Sequence, residues 1–245
     1  MRLQALRRLN VVVGLAHLAQ AGLMLALSND LALPVTAAFL PGDPVTARDV
    51  STDVLFEVPV GAAVAIFLLL AAVDHLGVAV PGPNRWYEAN LQRGVNYARW
   101  IEYSVSASLM IALIAMFTGI WDVAALAGLV GANTAMIWFG LLMERHQRPG
   151  RPDWSAFVFG SIVGLVPWLA IGIYITGGAA PPGFVYAIIV IQFAFFMSFG
   201  LNQYLQYRGV GRWRDYVHGE RAYIWLSLGA KSVLAWLIFA NVLRS

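Results

Sequence analysis

The stretch Ala222–Leu243, AYIWLSLGAKSVLAWLIFANVL, carries a single charge, Lys231, in an otherwise apolar run. Crossing the hydrocarbon core of a bilayer takes about 20 mainly apolar residues in helical form, so this run reads as a membrane-spanning helix. Six runs of the same kind precede it, near 10–28, 54–80, 92–118, 121–143, 154–177 and 183–206. The expected fold is therefore all-α: one seven-transmembrane helix bundle over residues 1–245, with its termini on opposite sides of the membrane. Composition agrees. The chain is 60% hydrophobic and 12% charged, with mean hydropathy +0.69, far from the soluble range.

Arginine sets the orientation, because it collects in short cytoplasmic connections. Arg2, Arg7 and Arg8 lie before the first segment, Arg85 and Arg93 between the second and third, and Arg145, Arg148 and Arg151 between the fourth and fifth. Arg208, Arg212, Arg214 and Arg221 lie between the sixth and seventh, and only Arg48 and Arg244 fall on the other side. This asymmetry predicts a cytoplasmic N-terminus and an extracellular C-terminus, in a multi-pass protein of the cell membrane. Arg2, Arg7 and Arg8 before an apolar run also suit a secretory signal, but the repetition of such runs favours a permanent helix. The net charge of +3 comes from arginines scattered between apolar runs. No basic face forms, so nucleic acid is not an expected partner and membrane lipid is. Without cysteine there are no disulfides, thiolate metal sites or thiol catalysis.

The breaks carry turn chemistry at Pro81-Gly82-Pro83, Pro149-Gly150-Arg151-Pro152, Gly177-Gly178 and Pro181-Pro182-Gly183. One external connection, 29–53, holds Asp30, Asp43, Asp49 and Asp53 and is too long for a bare turn. It is expected to have structure of its own, a hairpin being the form that fits its length.

An ionisable side chain deep in lipid costs several kcal/mol unless it is paired or functional. Lys231, the sole lysine, stands ten residues after Arg221 and thirteen before Arg244, about 15 Å deep at 1.5 Å per residue. It can snorkel to neither edge. Glu102, nine residues after Arg93 on a parallel helix, reaches nearly the same depth. Glu57 and Asp74 fall towards the two ends of the second segment, and Asp122 and Glu144 at the ends of the fourth. A residual salt bridge would explain the Lys231–Glu102 pair. A buried lysine is also the usual means of forming an imine with an aldehyde, and a cationic imine needs a carboxylate counterion.

Helical spacing adds polar company: Ser227 lies one turn before Lys231, and Arg99 and Ser106 flank Glu102. Ser104 and Ser108 are expected to back-bond to their own helix. His17, with Gln20 a turn away, and His75 sit within the first two segments. They are either two hydrogen-bonded core histidines or a proton-accepting pair beside the ion pair, and two histidines on separate helices make only a poor zinc site. Tyr103, Trp138, Trp168, Tyr186, Phe193, Phe195, Phe196 and Trp225 either wall a flat polyene or are ordinary bundle packing and interfacial anchors. Asn202 and Gln203 face a cavity or mark the inner interface.

With Arg99-Trp100-Ile101-Glu102-Tyr103-Ser104 on the third segment and Ser227-Leu228-Gly229-Ala230-Lys231 on the seventh, the chain resembles the heliorhodopsins among the retinylidene proteins. The resemblance covers nearly the whole chain. It rests on the N-inside topology, inverted relative to microbial pumps, on glutamate as third-helix counterion, on serine where pumps carry aspartate, and on the histidine pair. It implies all-trans retinal bound to Lys231, Glu102 as counterion, a hydrogen bond from Ser227 near the imine, and His17 with His75 as proton-accepting region. Asn133, Met136, Phe196 and Gln203 look like the family's pocket residues, with Tyr103, Ser106 and Trp168 from the reading above as further candidate contacts of the chromophore, and a homodimer would form partly through the first external loop. The serine that some relatives carry one turn before the second histidine is Ala71 here, a departure that touches the proton network.

Three functions are then open: a photoreceptor signalling to a cytoplasmic partner, a light-driven proton pump or channel, and a retinal-free small-molecule transporter. Serine at 227 and the lack of a carboxylate between Glu102 and the outer end of its helix disfavour the pump, and the absence of internal repeats disfavours the transporter. No metal or nucleophile constellation points to an enzyme.

Overall fold

The computed structural model describes residues 2–40, 42–43, 45, 51–178 and 180–244; Arg48 and Asp49 lie outside them. Among the described residues seven helices are long and apolar enough to cross a membrane: α1 (Arg2–Leu27), α2 (Val60–Gly77), α4 (Tyr97–Phe117), α5 (Val123–His146), α6 (Ser155–Gly177), α7 (Gly183–Arg208) and α8 (Tyr216–Ile238). The last continues as one π-helical turn, Phe239–Leu243. An eighth helix, α3 (Pro81–Gln92), occupies the α2–α4 connection. Pro81-Gly82-Pro83 was expected as a simple break, yet proline is at home in a first helical turn, where its missing N–H has no intrahelical role. Asn96, Asp122 and Asp215 each cap a span, accepting from the backbone N–H groups of Arg99, Ala125 and Val217.

The second span starts at Val60 rather than near 54. Its expected first residues form strand β2 (Ser51–Pro59), antiparallel to β1 (Ala32–Phe39) with a bulge between Val35 and Thr36. Glu57 is consequently on an exposed strand opposite Pro34, not on a helix. A short run rich in valine and phenylalanine suits either element, and periodicity alone cannot choose between them. The hairpin docks through β1: Val35 and Ala37 are buried, and the Thr36 N–H donates to Trp121 O at 2.9 Å. β2 is left outside, presenting Val54, Leu55 and Phe56 at 60%, 45% and 55% exposure.

Packing follows the ring α1–α2–α4–α5–α6 and α7–α8–α1. The α6–α7 seam is bridged by aromatic rings, Trp168 against Phe193 and Phe196, and Trp154 against Tyr204. Towards the C-terminal end of α8 from Lys231, Met110, Ile111, Ile114, Leu234 and Ile238 are buried in one apolar cluster. Lys231 is thus reached from one side through hydrocarbon and from the other through polar side chains.

Candidate functional site

The Lys231 Nζ lies 3.3 Å from Glu102 Oε1 and donates to Ser227 Oγ at 3.0 Å. All three residues are buried. Geometry explains the triad: Ser227 and Lys231 share a face of α8 one turn apart, and Glu102 enters at matching depth from α4. The ammonium also stands 4.9 Å from the centre of the Tyr103 ring, whose hydroxyl donates to Tyr223 O at 3.2 Å. A cation over a tethered phenol ring gains further electrostatic support.

Lys231 lines a cavity of about 460 Å³, within the range of pockets that enclose small organic ligands. The candidate chromophore contacts Tyr103, Asn133, Met136, Trp168, Phe196, Gln203 and Ser227 all line this cavity. Glu102 and Ser106 do not: Glu102 stands behind the amine, and Ser106 Oγ is buried without a hydrogen-bond partner. Of the remaining aromatics, Phe195 lines the cavity, while Trp138, Tyr186 and Trp225 face outwards at 41%, 38% and 56% exposure. Residues that sequence reasoning passed over complete the walls, notably Trp100, Gln192, Phe199 and Tyr223. Gln192 is fixed by a 3.0 Å bond from its amide to Ala230 O, beside the lysine. At Gly164 a β-carbon would come within 2.4 Å of Met136 Sδ and 3.0 Å of Phe196. Glycine there lets both side chains lie against α6.

His17 and His75 do come together, their rings stacked at 5.8 Å between centroids and 6° between planes. His75 Nδ1 is 2.7 Å from Asn10 Oδ1. Asn10 commits its amide nitrogen to Leu6 O, so Nδ1 carries the proton and Nε2 is the accepting atom. His17 is fully buried with neither ring nitrogen paired. Gln20 does not join them, binding Ala16 O and the Trp236 indole instead. On α3, burial holds the Tyr87 hydroxyl well above the ordinary range.

Arg99 departs most from expectation. It turns away from Glu102 and bridges two other carboxylates, Glu144 of α5 and Glu220 of α8, all at 4% exposure or less. Glu144 also accepts from the Asn96 N–H at 3.0 Å and Trp100 Nε1 at 2.7 Å, and Glu220 from Asn96 Nδ2 at 2.7 Å. The guanidinium lies 3.8 Å over the Tyr223 ring. Glu220 was hidden in the sequence beside Arg221, where an edge charge reads as a topology anchor. Its place three turns before Lys231 on one helical face was the available signal. Ser104 back-bonds to Ile101 O as expected; Ser108 does not, pairing with Thr134 and Asn133 across to α5.

A buried amine paired with a carboxylate, at the end of an aromatic cavity inside seven membrane-crossing helices, defines a rhodopsin-type membrane protein. The chain belongs to the heliorhodopsin family, matching its sequence profile over residues 6–243. No curated protein sequence is similar enough to count as a match. Among solved structures, the light-driven proton pump of Leptosphaeria maculans is similar at 17% identity and a TM-score of 0.68, over 96% of this chain and 95% of that one. The transmembrane domain of Salpingoeca rosetta rhodopsin phosphodiesterase follows at 14% and 0.66, over 97% and 84%. Exiguobacterium sibiricum rhodopsin is similar at 12% and 0.64, over 97% and 95%. At such identities the likeness is one of fold. Family and fold together make the chain a retinal-binding rhodopsin that crosses the membrane several times.

Proposed function

We propose that the chain is a light-sensing receptor of the cell membrane, carrying all-trans retinal covalently on Lys231, with its N-terminus in the cytoplasm and no enzymatic activity. The observation that carries this reading is the sole lysine, buried beside Glu102 in the wall of an aromatic cavity. A cavity of about 460 Å³ with rings on its walls suits a flat polyene, and the only primary amine among its lining residues supplies the point of attachment. When bound, retinal supplies visible absorption and a light-driven change of shape.

The remaining roles belong to the chain. Glu102 neutralises positive charge at Nζ from 3.3 Å. Ser227, one turn away, orients that nitrogen without adding a second negative charge. His75 Nε2, beside His17, receives the proton that leaves Nζ and holds it inside the protein. Towards the outside, buried Met110, Ile111, Ile114, Leu234 and Ile238 present no group able to pass a proton onwards. Transfer is therefore internal, the cycle slow, and net transport absent; the altered α8 signals to a cytoplasmic partner. The exposed apolar residues of β2 support a homodimer joined through the hairpin; a monomer mass by light scattering in mild detergent would remove that assignment.

The retinal-loaded protein tests the reading with two readouts. Glu102→Gln removes the charge that stabilises the ground-state cation, so the visible band is expected to move strongly to longer wavelength; an unmoved band refutes the counterion role. Illuminated cells in unbuffered medium are expected to show no protonophore-sensitive pH change. A sustained one would turn the reading to a pump like the Leptosphaeria protein.

A further inference from the structure

At the arginine-rich end of the bundle the chain passes from α7 to α8 through a 3₁₀ turn, Gly211–Arg214. A second cavity of about 410 Å³ opens there, lined by Arg212, Arg214, Asp215, His218 and Arg221. Its walls are preformed. Trp213 donates its indole N–H to Asn202 Oδ1 at 2.7 Å and meets the His218 ring edge-on at 4.9 Å. Arg214 is tied by Nε to Gly209 O at 2.9 Å, and Gly209 has the positive φ of 62° that lets α7 end and turn back. Asp215, which also lines the cavity, accepts from the Val217 N–H at the start of α8 and is not free of other interactions. Arg212 and Arg221 have no side-chain partner among the described residues.

Topology by itself asks only that arginines stand on this side of the membrane, each reaching water separately. Convergence on one rigid pocket is a further property. The preceding span ends at Arg208 and the next begins at Tyr216, which puts the pocket at the depth of the lipid headgroups. Val210, immediately before it, is apolar and 47% exposed, a surface suited to an acyl chain. Guanidinium groups match phosphate oxygens in charge and in fork geometry, and basic pockets at helix junctions are the usual receptors for anionic headgroups.

We propose that this pocket binds the phosphate of an anionic phospholipid headgroup. The site is independent of retinal. To test it, the full chain in detergent is titrated with dioleoyl phosphatidylglycerol and, separately, with dioleoyl phosphatidylcholine, and bound lipid is read by native mass spectrometry. Phosphatidylglycerol should be retained in preference. The double variant Arg212→Gln, Arg221→Gln should bind it about thirty-fold more weakly. The pair Arg85→Gln, Arg93→Gln, at the same end but away from the pocket, should leave it unchanged; circular dichroism confirms that both variants are folded. Equal retention of the two lipids, or equal loss in both variants, would make the arginines a uniform positive face and overturn the proposal. Displacement of the lipid by millimolar inorganic phosphate would reassign the pocket to a free anion. Retention of neither lipid would leave the arginines to a soluble acidic partner, and either result sinks the lipid assignment.

Discussion

Lys231→Ala is expected to leave the protein colourless when retinal is supplied, whereas the unaltered chain acquires a visible band. The chain has one lysine, so no neighbouring primary amine can take its place, and Lys231 alone presents one to the aromatic cavity. A primary amine is the group that condenses with an aldehyde, and Glu102 at 3.3 Å supplies the negative charge that a cation at this nitrogen needs. The expected effect is complete loss of covalent pigment. Absorbance after retinal addition measures it, with helical circular dichroism showing that the variant has folded. A visible band in folded Lys231→Ala protein would end the proposal that retinal is attached there, without touching the family assignment.

The largest effect on stability is expected at Arg99. Replacing it with alanine strands Glu144 and Glu220, which are fully buried and share this one guanidinium between α4, α5 and α8. Removing one member of a buried ion cluster costs about 3–5 kcal/mol, because the charges left behind keep their desolvation penalty. The Arg99 side chain also loses its place over Tyr223 and Trp100. A triple variant, Arg99→Met with Glu144→Gln and Glu220→Gln, should recover much of the loss, since it removes the stranded charges along with their partner. Unfolding titrated with dodecyl sulfate, followed by circular dichroism, reads both. Arg99→Ala as stable as the unaltered chain would show that the cluster contributes nothing; a triple variant no better than the single one would locate the loss in packing instead.

The cluster also shows how far spacing along the chain reaches. Ser227 and Lys231 were paired from sequence because one helix holds both, and a separation of four residues sets their distance whatever surrounds them. Glu102 met Lys231 because both depths were counted from arginines at the same membrane edge. Arg99 could not be placed this way. Its separation of three from Glu102 suggested company, but Glu144 and Glu220 lie 45 and 121 residues away in the chain, and no periodicity reports which of two carboxylates a guanidinium will face. The same limit explains Trp138, Tyr186 and Trp225, whose outward faces depend on the rotation of each helix in the bundle.

The amino-acid sequence by itself determined that this is a seven-span membrane protein and that a lone amine and a carboxylate share one depth within it, because the cost of burying polar groups in lipid acts on each segment separately. Only the tertiary structure decided that Val54–Pro59 is strand rather than helix, since β1 offers those residues a paired edge. It likewise decided that Arg99 serves Glu144 and Glu220, and that five helices leave between them a cavity lined by rings and by Lys231. Those outcomes depend on how separate helices rotate and approach one another, and that is set by packing across the whole bundle.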